Sequence, residues 1–457
     1  MNTETFAENA KAALNDAQLR GALRQATTLF GIRRREAAAS LSNWEDLRNE
    51  ARAIKDEVLL HLDRFLETFV SNAERRGAKV HWARDAAEAN EIIVRLTADR
   101  GARNVVKSKS MTTEEIHLNA ALERAGMRVV ETDLGEYIIQ LAGETPSHII
   151  APAIHKTKRQ VAQLFTTELG IPPTDDVGQL TSTARHTLRE RFATADVGIS
   201  GVNFGIAETG TIVIVENEGN IRMTTSLPRT HIAVMGIEKL LPQFADLDVF
   251  LKLLPRSGTG QALSTYQSFI TGTKRNAEDE GPEELHIVLL DNGRSRMLAH
   301  PVTRQSLACI RCGACLNVCP VYQQIGGHAY GSVYPGPIGS VITPQLIGID
   351  KAAQLPFASS LCGACREVCP VKIDIPRLLL HLRGEITKQR TDKRERWLFK
   401  LWAAIMLRPW LYEQTAVVGR LIQRLFGLRL KAWTKGRDLR PIEKESFRER
   451  WRREHAN

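Results

Sequence analysis

The stretch that decides the organisation of this chain lies at residues 309–320 and reads CIRCGACLNVCP. Its spacing, C-x2-C-x2-C-x3-C followed by proline, is the run with which bacterial ferredoxins hold iron–sulfur clusters. A second stretch at residues 359–370, SSLCGACREVCP, repeats the pattern with serine at its first position. We call these stretches the first and second cysteine runs. Together they contain all seven cysteines of the 457-residue chain.

Zinc and disulfides explain the two runs less well. A structural zinc site takes two pairs of ligands separated by a loop, whereas the first run places four cysteines within eleven residues. Residues 1–30 read as a charged amphipathic helix without the apolar segment of a signal peptide. An odd number of cysteines, all in metal-type spacings, is typical of a reducing cytosol. We therefore expect iron–sulfur clusters in a cytoplasmic protein.

Ligation that crosses between the runs is expected, since the fourth cysteine of each run binds the other run's cluster. The first [4Fe-4S] cluster would take Cys309, Cys312, Cys315 and Cys369. The second would take Cys319, Cys362 and Cys365. Its remaining iron would face Ser359, a water or nothing, and a serine hydroxyl holds its proton too tightly to be a good ligand. Three outcomes stay open: a labile iron, a [3Fe-4S] cluster, or a cysteine supplied by a partner.

Length and composition indicate a globular protein of two to three domains. Hydrophobic residues make up 43% and charged residues 25% of the chain, which is ordinary for a soluble fold. The net charge of +10 is uneven, because residues 377–457 carry 21 Lys and Arg against 9 Asp and Glu, while the preceding residues carry 41 against 43. No apolar run approaches the length that spans a bilayer.

Four regions are expected along the chain: a helical segment at 1–75, an α/β domain at 76–300, a small helical ferredoxin-like domain with two clusters at 301–385, and a basic helical tail at 386–457. Strands that alternate with helices favour an α/β layered sheet with parallel pairing. The expected strands are 104–107, 127–131, 148–151, 211–215, 231–235 and 286–290, and the expected helices are 113–125 and 156–169.

Two glycine-rich segments stand out in the sequence, and the second, at 326–344, is too rich in glycine and proline for regular structure. Residues 198–210, GISGVNFGIAETG, match neither a dinucleotide-binding nor a Walker spacing, so tight turns between strands are the better interpretation. Residues 326–344, GGHAYGSVYPGPIGSVITP, should pack over a cluster and shield it from water. After the second run, Asp374-Ile375-Pro376 should begin a helix, with proline in its first turn.

The basic tail holds five of the seven tryptophans: Trp397, Trp402, Trp410, Trp433 and Trp451. Its interleaved basic residues include Arg420, Arg424, Arg429 and Lys431. Such helices can dock on a partner subunit or on the protein's own surface. They can also lie peripherally on the inner face of an anionic membrane. Nucleic acid is not expected as a partner, because no recognised binding module accompanies the charge.

With these features in place, the chain resembles the lactate utilisation protein B family, the iron–sulfur subunits of bacterial L-lactate oxidation systems. The resemblance rests on VVKSKSMTTEE at 105–115, ETDLGEYIIQL at 131–141, PSHIIAPAIHK at 146–156, residues 196–215, the two cysteine runs with serine at 359, and the tryptophan-bearing tail. It covers nearly the whole chain. It assigns the same two sets of cysteine ligands as the crossed pattern.

The resemblance implies a sugar-isomerase/CoA-transferase-like α/β fold. It also implies two companion subunits, a cysteine-rich redox subunit and a smaller protein that carries the lactate-utilisation domain. Together they would oxidise L-lactate to pyruvate and allow growth on L-lactate, with electron transport through the clusters of this chain. The alternative function is a general iron–sulfur electron carrier that docks to another dehydrogenase or quinone reductase through its tail.

A substrate site is harder to predict, and no catalytic residue can be assigned. No flavin or nicotinamide fingerprint is visible in the sequence. If substrate binds to this chain, the candidates for holding a carboxylate or moving a proton are Lys107, Lys109, His148, His155, Lys156 and Glu208. The competing interpretation is that basic residues at strand ends simply face solvent.

Overall fold

The computed structural model describes residues 2–276, 278–390, 393–426 and 442–455. The chain divides into two compact units, Met1–Ile386 and Thr387–Asn457. The strands are β1 Lys79–Ala83, β2 Asn104–Lys107, β3 Arg128–Glu131, β4 Val197–Gly201, β5 Phe204–Ile206, β6 Thr211–Glu216, β7 Thr230–Gly236, β8 Leu240–Leu241, β9 Tyr266–Ile270 and β10 Glu284–Leu290.

Helices precede, surround and follow these strands. Those before and within the α/β region are α1 Phe6–Asn15, α2 Ala17–Ala39, α3 Trp44–Leu60, α4 Leu62–Arg75, α5 Ala86–Ala98, α6 Met111–Glu115, α7 Leu118–Arg124, α8 Leu134–Leu141, α9 Lys158–Leu169, α10 Val177–Ala193, α11 Asn220–Ser226 and α12 Leu247–Gly258. Those after it are α13 Arg294–Ala299, α14 Ala314–Asn317, α15 Tyr322–Ile325, α16 Gly336–Ile347, α17 Ala364–Glu367, α18 Ile375–Arg390, α19 Lys393–Met406, α20 Pro409–Phe426 and α21 Phe447–Glu454.

A parallel sheet forms the centre of the α/β region, and in the described residues it has six strands in the order β1-β10-β7-β4-β2-β3. Its strands are apolar on both faces, as expected where helices cover both sides of a parallel sheet. In β7, Ile232 and Val234 face a core shared with α5 and α7. Ala233 and Met235 face the opposite core, shared with α4 and with a smaller sheet of order β8-β5-β6-β9. The α/β class with parallel pairing is thus confirmed.

Most of the predicted strands are confirmed, but residues 148–151 are wrong as a strand. The backbone there forms bends instead. The cause is His148, whose ring nitrogen Nδ1 accepts hydrogen bonds from the amides of Ile150 and Ala151 at 3.1 and 3.2 Å. These amides are therefore used locally and do not join a sheet ladder. The helix expected at 113–125 is interrupted at His117, which has a φ of 53°.

In the first glycine-rich segment, 198–210, the predicted turns between strands are confirmed: residues 202–203 connect β4 to β5, and 207–210 form a turn before β6. Gly198 is needed for close packing, because a Cβ there would come 1.9 Å from the carbonyl oxygen of Thr224. The second segment, 326–344, is more regular than predicted. Residues 326–344 contain most of α16, which tolerates Pro337 because the first turn of a helix needs no donor there. The helix predicted after the second run is confirmed as α18.

The N-terminal helices and the cysteine region share one apolar core. Leu23 of α2 and Leu47 of α3 belong to the same buried cluster as Leu316, Tyr322 and several of the cysteines. Helix α2 packs against α12, α14 and α15. The cysteine runs, near the carboxyl-terminal end of the first unit, therefore pack against helices from its amino-terminal end.

The second unit contains α19 to α21 and, within the described residues, no helix that is both long enough and apolar enough to cross a membrane. Trp397, Trp402, Trp410 and Trp451 are all exposed. Trp433, Arg429 and Lys431, which were singled out in the tail, lie outside the described residues.

Candidate metal centre and adjoining cavity

Both cysteine runs fold into the same local turn. At equivalent positions, Arg311 and Leu361 take a left-handed backbone conformation, with φ of 61° and 57°. The Arg311 amide donates a hydrogen bond to Sγ of Cys309 over 3.4 Å, and the Leu361 amide donates one to Oγ of Ser359 over 3.1 Å. The serine hydroxyl therefore occupies in the second run the place that a thiol has in the first.

Cysteines from both runs line one small cavity: Cys309, Cys312, Cys315 and Cys369. The rest of its wall is mainly apolar and includes Ile149, Ile338, Val371, Ile373 and Ile375. Three of its cysteines come from the first run and one from the second. An amide hydrogen bond also reaches a sulfur here, from Ile373 to Sγ of Cys369 over 3.3 Å. We call this space the cysteine cavity.

The other three cysteines form a second group. Burial raises the pKa of Cys319, and the nearby Cys362 thiol raises it further. Burial, followed by the charges of Cys319 and Cys362, raises the pKa of Cys365 to about 12. Cys319 and Cys365 are buried, whereas Cys362 is exposed. These three thiols are thus close enough to repel one another when ionised, and one of them reaches the surface.

The spacing of the thiols fits an iron–sulfur cluster better than zinc. Tetrahedral sulfurs about 2.3 Å from a zinc ion lie roughly 3.8 Å apart. All seven cysteines are described, and no three of their sulfurs lie within 4.8 Å of one another. Burial raises the pKa of Cys312 and Cys315, and the neighbouring thiols add to that effect. Thiolates at such sites need a metal that compensates their charge.

Two arginines from the N-terminal helices hold the end of the second run. Arg48 of α3 donates to the carbonyl oxygen of Cys369 over 3.1 Å from Nε and 2.9 Å from Nη2, and to that of Glu367 over 2.8 Å. Arg34 of α2 donates to the carbonyl oxygen of Val368 over 3.0 Å. Positively charged groups therefore fix the backbone around Cys369. These contacts could not be predicted from the sequence, because the partners lie more than 300 residues apart.

A larger cavity of about 280 Å³ adjoins the first run. It lies beyond the carboxyl ends of β2 and β4, where parallel α/β sheets commonly bind ligands. Cys312 lines both this cavity and the cysteine cavity. We call this larger space of about 280 Å³ the substrate-sized cavity.

The charged groups in the wall of the substrate-sized cavity are of both signs: Lys109, Lys239, Arg311, Asp133, Glu216 and Glu218. Burial, followed by the positive charge of Arg311, lowers the pKa of Lys239 to about 8. Burial, followed by the Asp133 carboxylate, raises the pKa of Glu218 to about 7. Such a wall can bind an anion and offers a carboxyl group that can exchange a proton near neutral pH.

Of the predicted substrate residues, only Lys109 lines this cavity. Lys107 is fully buried, and its Nζ lies 2.7 Å from Oε1 of Glu131 and 3.1 Å from Oε1 of Glu114. Burial alone would lower the pKa of Lys107, but the two carboxylates outweigh burial and raise it. Lys107 is therefore a structural cation and not a substrate ligand.

His148 is also buried, with Nε2 3.2 Å from Oδ1 of Asn317. Burial lowers its pKa to about 3, and the charge of Lys109 contributes. The ring is neutral at pH 7 and organises the backbone beside the first run.

The remaining candidates lie away from both cavities. His155 and Lys156 both pair with the Glu144 carboxylate, at 2.7 and 2.6 Å. His328 is close enough to this pair for His155, His328 and Glu144 to form a group of metal-type ligands. Glu208 is exposed and accepts a hydrogen bond from the amide of Phe244 over 2.8 Å. None of these residues lines either cavity.

Sequence reasoning missed Lys239 and Arg311 as cavity residues. Arg311 was visible only as a spacer between cysteines. Lys239 follows β7 in the stretch GIEKLLP, where a lysine would ordinarily be expected in solvent. Its position just beyond a parallel strand was the available signal.

Three protein-family models match the chain in succession. The LUD domain matches residues 66–290, a 4Fe-4S dicluster domain matches residues 305–373, and the C-terminal domain of lactate utilisation protein B matches residues 380–456. The second of these spans both cysteine runs, which agrees with the expected iron–sulfur clusters.

Curated relatives match over nearly their whole length. The protein named lactate utilization protein B of Anoxybacillus flavithermus is 44% identical, over 100% of this chain and 99% of the relative. Its namesake in Shouchella clausii is 44% identical, over 97% and 96%. A protein of Escherichia coli K12 named uncharacterized electron transport protein YkgF is 42% identical, over 99% and 97%. The chain therefore belongs to the lactate utilisation protein B family.

Proposed function

We propose that this chain is the iron–sulfur electron-transfer subunit of a complex that oxidises L-lactate to pyruvate. The observation that carries the proposal is the cysteine cavity, where four thiols from two separated runs converge. The match to a 4Fe-4S dicluster domain supports the cofactor. The names of the relatives, which refer to lactate utilisation and to electron transport, support the process.

The proposed ligands of the first [4Fe-4S] cluster are Cys309, Cys312, Cys315 and Cys369. Those of the second are Cys319, Cys362 and Cys365. The fourth position of the second cluster would lie near Ser359, whose hydroxyl accepts a hydrogen bond from the Leu361 amide. A labile iron, a [3Fe-4S] cluster and a ligand from a partner are the three states consistent with this arrangement.

Oxidation of a 2-hydroxy acid releases two electrons and two protons, and bound clusters would carry the electrons one at a time. The isoleucine and valine side chains in the wall of the cysteine cavity keep water out of it. The backbone amides of Arg311 and Ile373 donate hydrogen bonds to cysteine sulfurs. Such bonds would stabilise the reduced, more negatively charged state of a bound cluster and so shift its reduction potential. Arg34 and Arg48 hold the second run in position.

The companions would be the two proteins of a lactate utilisation system: a cysteine-rich redox subunit and a smaller protein with the lactate-utilisation domain. The α/β region would share the sugar-isomerase/CoA-transferase type of layered sheet. We retain the boundaries 1–75, 76–300, 301–385 and 386–457 for the four regions. The shared core of α2, α3 and the cysteine region indicates that the first and third regions fold together.

The deciding experiment is anaerobic purification followed by iron, sulfide and zinc analysis and EPR spectra before and after reduction. About eight iron atoms per chain would indicate two [4Fe-4S] clusters, and about seven a [3Fe-4S] second cluster. Zinc without sulfide would refute electron transfer. In cells, a strain with Cys312→Ser should fail to grow on L-lactate and should still grow on pyruvate.

The second candidate function is a general electron carrier that docks to another dehydrogenase or quinone reductase. The exposed tryptophans of α19 and α20 favour it, since large aromatic side chains are enriched in protein interfaces. Ending the chain after residue 390 should then abolish association with the partner and leave the cluster spectra unchanged. Undiminished co-purification of the shortened chain would refute docking through the tail.

A further inference from the structure

Arg311 places a positive charge inside the first cysteine run, where it is a spacer between Cys309 and Cys312. Its side chain is 11% exposed and lines the cysteine cavity. A guanidinium group remains charged at any pH a protein tolerates. At the equivalent position of the second run, which has the same left-handed backbone, the residue is Leu361. The two runs therefore differ by one full charge at the same point of the same turn.

The fold fixes the position of this charge. The Arg311 guanidinium carbon lies over the ring of Tyr334, 4.7 Å from its centroid, and Nη2 lies 3.6 Å from Oε1 of Glu238. The other oxygen of Glu238 accepts a hydrogen bond from Nε of Arg294 over 2.6 Å. Gly236 makes room for this pair, because a Cβ there would overlap the Glu238 carboxylate. Arg311 is thus held by groups that come from separate parts of the chain.

Positive charge predominates beside the first run. Lys239, Arg294 and Arg311 lie near two carboxylates, those of Glu115 and Glu238, and both carboxylates pair with Arg294. Burial alone would raise the pKa of Glu238, but Arg294 and Arg311 outweigh burial and lower it to about 2. Even with both carboxylates ionised, the three cations leave an excess of positive charge in a site that is largely withdrawn from water.

The cations beside the second run are in greater contact with water. The side chain of Arg366 is 65% exposed and lies 3.4 Å from the Asp374 carboxylate. Arg383 is half-buried and donates to the carbonyl oxygen of Ser359 over 2.8 Å. Water weakens the field of such charges far more than that of a charge in the interior. The second run therefore has no counterpart to the buried charge of Arg311 in its own turn.

A reduced cluster carries one more negative charge than an oxidised one, so a fixed cation nearby favours reduction. Burial of four thiolates in an apolar cavity has the opposite effect, because it disfavours the more highly charged state. We propose that Arg311 raises the reduction potential of the first cluster and so offsets the burial of its ligands. The role rests on the proposed function, since it requires a cluster in the cysteine cavity. An electron can then pass between the buried and the exposed cluster with a smaller uphill step.

The test is a redox titration of the anaerobically purified full chain, followed by EPR. The first cluster is identified as the signal that Cys312→Ser abolishes. Arg311→Leu, which gives the first run the residue of the second, should shift the midpoint of this signal to lower potential. Arg311→Lys keeps the charge and should stay close to the wild type. Arg366→Leu, at the exposed position in the second run, is the matched control and should leave the midpoint of the first cluster unchanged.

Glu238→Gln changes the same field in the other direction. It removes the anion beside Arg311 and should shift the midpoint to higher potential. This variant also decides the question if Arg311→Leu does not retain the first cluster, because the side chain keeps its size and can still bond to Arg294.

Iron and sulfide are measured on the same samples, so that the two proposals can fail separately. Clusters present with equal midpoints in the wild type and Arg311→Leu would overturn the role of Arg311 and leave electron transfer standing. If Arg311→Leu lacks the first cluster, equal midpoints in the wild type and Glu238→Gln would do the same. A midpoint of Arg311→Lys as low as that of Arg311→Leu would also overturn it, since packing and not charge would then set the potential. A wild-type chain without iron and sulfide would overturn both proposals.

Discussion

The two cysteine runs have the same backbone turn and different surroundings. At Gly313 of the first run, an added Cβ would come 3.1 Å from Cε1 of His148, whereas at the equivalent Gly363 it would meet no atom within 4 Å. Cys312 is buried and Cys362, its counterpart, is exposed. The motif therefore determines the shape of the turn, and the rest of the protein determines what each turn can do.

The surroundings of the first run are unusually rich in buried charge. Arg311 and Lys239 lie beside it, and Lys55 donates to the carbonyl oxygen of Glu238 over 2.6 Å. The second run has a serine in place of a cysteine and a thiol at the surface. One run faces the interior and a ligand-sized space, and the other faces outward. Four predictions test whether this difference is real.

The largest effect is expected from Cys312→Ser. This thiol lies in the wall between the two cavities, so its loss should remove the first cluster and abolish growth on L-lactate. Cys362→Ser is the counterpart and should affect only the second cluster. The measurement is iron content with EPR of the reduced proteins. If both variants lose the same signal, Cys312 and Cys362 do not bind separate clusters.

A smaller effect is expected from Arg48→Met, which removes the hydrogen bonds to the carbonyl oxygens of Cys369 and Glu367. The free energy of unfolding should fall by about 2–4 kcal/mol, and release of the first cluster should begin at lower denaturant concentration than release of the second. Anaerobic denaturation followed at the cluster absorbance measures both. Arg64→Met, at an exposed position on α4, should change the stability by less than about 0.5 kcal/mol.

The pH dependence should also distinguish the runs. Burial holds the pKa of His148 at about 3, below its value of about 6.5 in the unfolded chain. The unfolded state therefore takes up a proton first, and stability present above pH 6.5 is lost as pH falls. Between pH 7 and pH 5 this group should cost about 2 kcal/mol.

The measurement is the denaturation midpoint of the wild type and of His148→Gln across this pH range. The variant should show the shallower decline. A decline of equal slope in both proteins would mean that His148 is not responsible. No comparable ring packs on Gly363 within 4 Å, so the effect belongs to the first run.

The smallest and most local effect is expected from Ser359→Cys, which gives the second run the residue that the first has. The second cluster should gain a fourth thiolate and resist air and chelators longer, with the first cluster unchanged. The time course of cluster bleaching measures this. Ser360→Cys, one position further along, is the control. Equal protection by both variants would argue against a specific position at Ser359.

The sequence predicted most of what depends on neighbours in the chain. Apolar runs such as 231–235 and 286–290 indicated strands of the parallel sheet, and the C-P endings indicated where each cysteine run stops. The strand predicted at 148–151 was wrong because the His148 ring takes the amide hydrogens that a strand would use. The charged wall of the substrate-sized cavity could not be predicted, because Lys109, Lys239 and Arg311 are far apart in the sequence and line one cavity only in the folded chain. The ligand sets of the two clusters stay a prediction.

The hydrogen bonds from Arg34 of α2 and Arg48 of α3 to the second run affect the order in which the protein can fold during synthesis. Arg48 and Cys369 are 321 residues apart, and a chain emerges from the ribosome amino terminus first. The helices that hold the second run are therefore synthesised long before the run itself, and contacts of such separation form slowly. Cluster insertion is expected late, after translation of nearly all of the first unit, and a prematurely ended chain would carry its thiols unprotected.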